Sequence, residues 1–169
     1  MIAAMGPVMA KITIDAPRER VYDMVADLAM RPAYCDHFQT GFRLQRIDSR
    51  GIGAAARFHV DAPRFPMWME TVISELEPPH LVLETGRGAR IDRMTVGTAW
   101  ELVESAGDMC EATVSFWTEP ELHLDKLKDK LSSSGWYERQ LKQALTRLRD
   151  LAEADARLEP LRVAGASRP

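Results

Sequence analysis

The sequence predicts an α+β domain: a curved antiparallel sheet of about seven strands wrapped around one long C-terminal helix, with two short helices after the first strand. Three observations carry this. From Gly41 to Thr118 apolar residues alternate with polar ones in runs broken by Gly, Pro, Asp and Ser, the pattern of successive strands joined by turns. From Leu124 to about Ala156, Leu127, Leu131, Leu141, Leu145, Leu148 and Leu151 or Ala152 recur at three- and four-residue steps, one stripe of a helix. Between the first strand and Gly41 the pattern turns helical.

In chain order, Val8 to Ile14 alternates, with Val8, Ala10, Ile12 and Ile14 on one face. Pro17 suits a first helical turn and Asp15 can cap it. Val21, Tyr22, Val25 and Leu28 then mark a short helix from about Arg18 to Asp27, limited by Pro32. Tyr34, His37 and Phe38 fall in a second short helix or turn. Phe42 to Ile47 is a strand, and Asp48-Ser49-Arg50-Gly51-Ile52-Gly53 a turn. Ala54 to Asp61 carries Ala56, Phe58 and Val60 on its apolar face. Met67 to Glu75 follows, its phase set by Ile73, which sends Thr71, Met69 and Met67 inward and Trp68 and Glu70 outward unless a bulge near Pro66 reverses the first residues. After Pro78-Pro79, Leu81 to Thr85 alternates without declaring a face. A long strand from about Ile91 to Glu104 and a last one through Cys110, Ala112, Val114, Phe116 and Thr118 flank a tight connection at Ala106-Gly107-Asp108.

The C-terminal helix, able to start at Asp125, has a weak point at Ser132-Ser133-Ser134-Gly135, where a kink or break is expected. The pattern fades after Glu153. The expected organisation is therefore an N-terminal segment over residues 1–7, one domain over residues 8–156 and a flexible tail over residues 157–169.

Composition excludes several functions. Net charge is −3 and spread along 169 residues, which argues against nucleic acid as a partner. No apolar run approaches the roughly 20 residues of a membrane span. Residues 1–7 lack the basic start and apolar core of a signal peptide, so a cytoplasmic location is expected. The two cysteines, Cys35 and Cys110, do not make a disulfide framework. Cys35-Asp36-His37 are adjacent residues that do not converge on one ion, so neither a metal nor another cofactor is expected.

Three stretches resemble a known superfamily. They are the opening strand running into Ala16-Pro17-Arg18-Glu19-Arg20-Val21-Tyr22, then Val72-Ile73-Ser74-Glu75-Leu76-Glu77-Pro78-Pro79 before Leu81-Val82-Leu83-Glu84, and Trp100-Glu101-Leu102 leading by hairpin to Ala112-Thr113-Val114 and the helix. In this order they resemble the SRPBCC (START-like, Bet v 1-like) superfamily with its helix-grip fold, closest in style to the polyketide cyclase/dehydrase and lipid-transport group. The resemblance implies a hydrophobic cavity between sheet and helix that takes lipids, quinones, hormones or polyketides. It supplies no catalytic motif to carry over.

Candidate ligand-binding residues are therefore read from the pattern. Met67, Met69 and Met94, with Trp100, Phe116 and Trp136, are placed to face the helix, and Met and aromatic surfaces adapt to irregular apolar ligands. Tyr34, His37 and Phe38 lie near the expected mouth, and Tyr34, His37, Thr98 or Arg93 can orient a polar group. His37 is the one weak catalytic candidate, as a proton shuttle to a polyketone. The carboxylates Asp61, Glu70, Glu84 and Asp92 show no evident pairing. The favoured reading is a binder of a small hydrophobic molecule. A polyketide cyclase, aromatase or dehydratase is the alternative, and an interaction module with a filled core is the third. The sequence leaves a homodimer open.

Overall fold

The computed structural model describes residues 7–63, 66–88, 94–120 and 134–165, with side chains as far as 154. The chain opens with β1 (Val8–Ile14), which buries Val8, Ala10 and Ile14. Helix α1 (Arg18–Val25) buries Val21, Tyr22 and Val25. Its N-cap is Pro17, with no side-chain cap. The expected Asp15 cap is absent because the N-cap position falls two residues later, at Pro17, whose side chain has no acceptor; the Asp15 backbone N–H instead donates to the Glu153 carboxylate, 3.0 Å away. The helix ends at Val25, before Asp27. The Asp27 carboxylate accepts the Ala29 N–H at 3.0 Å and starts a single 3-10 turn, Leu28–Met30. Pro32 then stands in the first turn of α2 (Arg31–Cys35), where its missing N–H costs nothing.

Six strands follow: β2 (Gln39–Leu44), β3 (Ala55–Val60), β4 (Met67–Glu77), β5 (Leu81–Gly88), β6 (Met94–Ser105) and β7 (Met109–Pro120). With β1 they form one antiparallel sheet in the order β1-β7-β6-β5-β4-β3-β2. The first strand closes on the last: Val8 faces Phe116 and Ile14 faces Cys110. The sheet curls around the helices, and its concave face carries Phe58, Met69, Ile73, Val82, Trp100, Leu102 and Val114. Along β4 the inward set is Met69, Thr71 and Ile73, while Trp68 points out, 47 % exposed. Among the described residues the irregularity in β4 lies between Ile73 and Glu75, and the pairing with β3 is regular from Met67 to Val72.

Helix α3 (Ser134–Gly165) lies against β1, α2 and α1. Tyr137, Leu141, Ala144, Leu145, Leu148 and Ala152 are its buried stripe. The described part of the helix starts at Ser134-Gly135; Asp125, Leu127, Leu131, Ser132 and Ser133, and with them the expected kink or break, lie outside the described residues. The helical backbone runs on to Gly165, past the Glu153 at which the apolar pattern fades. This is the helix-grip form of an α+β domain.

One close approach tightens the middle of the sheet. A Cβ on Gly86 would stand 1.9 Å from the Glu70 carbonyl oxygen and 2.8 Å from the Thr71 Cα, both backbone atoms that cannot step aside alone. Gly86→Ala should therefore push β4 and β5 apart and lower stability by about 1–3 kcal/mol, read from the denaturant midpoint at unchanged slope.

Candidate functional site

A space of about 450 Å³, its solvent-open mouth included, lies between the concave face and α3. Its enclosed part is narrow, with room for about one or two water molecules. Alternation on β3, β4, β6 and β7 delivers Phe58, Val60, Met69, Trp100 and Phe116 to its wall. Tyr137 and Leu141 come from α3, and Cys35 and Phe38 from the end of α2. Four polar residues share the lining: Arg31, Gln39, Thr71 and Thr98.

Beneath this wall sits a buried charge cluster. Arg31 is 2 % exposed and Glu84 only 1 %. The Arg31 Nη2 donates to Glu84 Oε1, and Nη1 lies 3.5 Å from Oε2. Thr71 Oγ1 donates to the same Oε2 at 3.1 Å, and Arg31 Nε donates to the Tyr34 hydroxyl at 3.1 Å. The Trp100 ring lies 5.3 Å from the guanidinium and meets Tyr34 edge-on at 5.8 Å. Burial opposes the charge on Arg31, but the Glu84 carboxylate, together with Tyr34 and Cys35, outweighs it and holds Arg31 well above the ordinary arginine range. Burial raises the Tyr34 hydroxyl and pushes the Cys35 thiol up to about 12.

The candidate residues separate into groups. Phe38, Met69, Thr98, Trp100 and Phe116 line the space. Tyr34 is buried one step behind it, on Arg31. Met94 is buried in the core and Met67 partly buried at its edge. Trp136 packs edge-on to Phe38 at 6.2 Å and to Tyr137 at 5.0 Å, behind the lining. Arg93 and Asp92 lie outside the described residues. His37 faces α3: its Nε2–H donates to the Gln140 carbonyl at 3.1 Å, and Nδ1 accepts from Arg147 at 3.3 Å. Arg147 also pairs with Asp36. Desolvation lowers the His37 pKa below its ordinary 6.5, and Arg147 adds to the shift while the Gln140 carbonyl opposes it.

Sequence reasoning did not single out Arg31, Gln39 or Tyr137, and left Glu84 unpaired. The signal for Glu84 was its two-residue spacing from Val82, both of which face inward. Leucines at positions 81 and 83 masked it.

Two polar atoms of lining residues stand alone among the described residues. Trp100 Nε1 and Gln39 Oε1 are buried without a hydrogen-bond partner.

Glu84→Ala should destabilise the domain by about 3–5 kcal/mol, because it strands a buried guanidinium, and Arg31→Met with Glu84→Leu should recover most of that loss in denaturant titrations. For His37 the depressed pKa means that the unfolded chain binds the proton more tightly. Stability therefore falls as pH drops through 6.5. His37→Gln should flatten that part of a stability-against-pH curve.

Among the described residues no helix is long and apolar enough to cross a membrane. Solved structures of similar shape include the Zhui aromatase/cyclase from Streptomyces sp. R1128, at 14% identity and a TM-score of 0.69 over 88% of this chain and 93% of that one. A START superfamily protein from Mycobacterium smegmatis aligns at 14% identity and a TM-score of 0.59, over 89% and 97%. Ginseng major latex-like protein 151 from Panax ginseng aligns at 11% identity and a TM-score of 0.64, over 87% and 97%. At these identities the likeness is one of fold. No curated protein matches by sequence. The sequence profile of one family spans residues 5–153, nearly the whole domain, and the chain belongs to that family, polyketide cyclase / dehydrase and lipid transport.

Proposed function

We propose that the domain holds one small, largely apolar, uncharged molecule between sheet and α3, for transport or sequestration, and that this molecule carries a carbonyl or hydroxyl group. The supporting observation is the pair of lone polar atoms on lining residues, the Trp100 Nε1 donor and the Gln39 Oε1 acceptor. Each unpaired buried group costs about 1–3 kcal/mol, which a ligand offering an acceptor to one and a donor to the other recovers. The apolar lining supplies the rest, at about 25 cal/mol per Å² before the costs of association. Arg31 and Glu84 neutralise each other, so the wall has no spare charge for an ionised ligand. The narrow enclosed part requires side chains to shift on entry, and Met69 beside it is the adaptable one.

Carrier is favoured over cyclase by the titratable groups in reach. Among the described lining residues, the Cys35 thiol sits at about 12 and Arg31 stays protonated. Both ring nitrogens of His37 are engaged by α3. None of these is poised to exchange protons near neutrality. The enzyme reading draws on the family description and needs an acid–base group that these residues do not provide.

Native mass spectrometry of the protein from its own host, with organic extraction, should yield a co-purifying neutral apolar molecule. Trp100→Phe keeps an aromatic ring, smaller than the indole, and removes the donor. It should weaken a carbonyl-bearing fluorescent probe about fivefold, the worth of roughly one hydrogen bond, and leave a hydrocarbon probe unchanged. Equal affinities of mutant and wild type for both probes would remove Trp100 from the site. Failure to bind either probe would favour a core filled by its own side chains.

A further inference from the structure

The connection between β2 and β3 is unlike the rest of the surface. Ile47 is fully exposed, 101 % of its reference area, Ile52 is 71 % exposed and Leu44 37 %. Their exposure is built in, because the backbone around them is tied down. Ser49 accepts the Leu28 N–H at 2.9 Å, Ile73 accepts the Gly53 N–H at 2.8 Å, and Gly51 accepts the Ala54 N–H at 3.1 Å. The positive φ angles of Gly51 and Gly53, 89° and 91°, bend the chain back behind Ile52.

The same stretch concentrates positive charge on a chain whose net charge is −3. Between Gly41 and Arg57 four arginines stand against one aspartate, Asp48. Arg50 pairs with Asp27 at 3.0 Å, and Arg57 lies 3.6 Å from Glu70. Arg43 and Arg46 are exposed and have no ion-pair partner among the described residues.

We infer that this connection docks the domain on an anionic lipid surface, with Ile47 and Ile52 entering the headgroup boundary and Arg43 and Arg46 against the lipid phosphates. Aliphatic side chains at full exposure protrude, and a protruding apolar tip needs a partner that yields around it, which a bilayer does. Unpaired arginines flanking the tip complement the negative surface of an anionic leaflet. The inference stands on the outer surface alone and does not depend on what the cavity holds.

The test is co-sedimentation of the full chain with vesicles of phosphatidylcholine mixed with phosphatidylglycerol, and with phosphatidylcholine alone. The wild type should bind the mixed vesicles, release as salt is raised, and bind the neutral ones far more weakly. Arg43→Gln with Arg46→Gln should weaken binding about tenfold or more, and Ile47→Ser with Ile52→Ser should abolish it. All four positions are exposed, so the variants should keep the wild-type circular dichroism spectrum and unfolding midpoint, and should take up the cavity probes as before. No binding of the wild type to mixed vesicles would overturn the inference, as would variants that bind like the wild type. Concentration-dependent dimerisation lost in the Ile47 and Ile52 variants, without vesicle binding, would assign the surface to a second copy of the chain instead.

Discussion

The architecture turns on one ion pair out of water. Helix α2 has only five residues and cannot hold its own shape. Arg31 at its start reaches Glu84 on β5, the central strand of the seven. Thr71 on β4 and the Trp100 ring on β6 complete the contact, so three adjacent strands define where α2 stands. Phe38 and Gln39, which follow α2 after Asp36 and His37, inherit that position and close one side of the cavity. Removing two charges from water is expensive, and a pair so deep gives little net stability over an apolar substitute. What it does give is register: an apolar contact would let the short helix slide along the concave face, whereas a guanidinium held by Glu84, Tyr34 and the Trp100 ring has one seat.

Much of the fold was legible because alternation is a strong signal wherever one strand face is wet and the other dry. The inward sets on β3, β6 and β7 follow from it directly. On β4, Ile73 alone was enough to place Met69 and Thr71. The signal failed on β5, where Leu81 and Leu83 are only half-buried and compete with Val82 and Glu84 for the core face. A charged residue at an inward position is invisible to a hydropathy pattern, and its partner Arg31 lies fifty-three residues earlier in the chain. The lone donor and acceptor of the lining residues were beyond sequence reasoning for a different reason. Whether Trp100 Nε1 finds a partner depends on neighbours from other elements, and no local pattern records that. The sequence placed His37 beside the cavity mouth but could not show that α3 occupies both of its ring nitrogens, since Gln140 and Arg147 are a hundred residues away.

The chemistry of the cavity and of the outer surface divide the work. Inside, the opposite charges of Arg31 and Glu84 cancel at contact distance, and the polarity left among the described lining residues is neutral, carried by groups such as Thr98, Gln39 and Trp100 Nε1. Outside, α1, α2 and α3 cover the concave face and keep that apolar interior from water. The engagement of His37 and Asp36 with α3 fastens the end of α2 to the long helix, so the side of the cavity formed by Phe38 moves with α3 if it moves at all.

The pairing of β1 with β7 sets the order in which the protein can be made. β1 leaves the ribosome well before its sheet neighbour among the described residues, β7, which begins at Met109. At ordinary elongation rates the roughly 100 residues between them take about 5–20 s to synthesise. Through that interval Val8, Ala10 and Ile14 have no strand to join, and the strand contacts that bury them are distant along the chain. Such topologies fold slowly because the loop must be closed before the contact rewards it. While β2 to β7 are being made, the growing chain therefore presents β1 as an unpaired apolar strand, and the described sheet is closed along that edge only when β7 arrives.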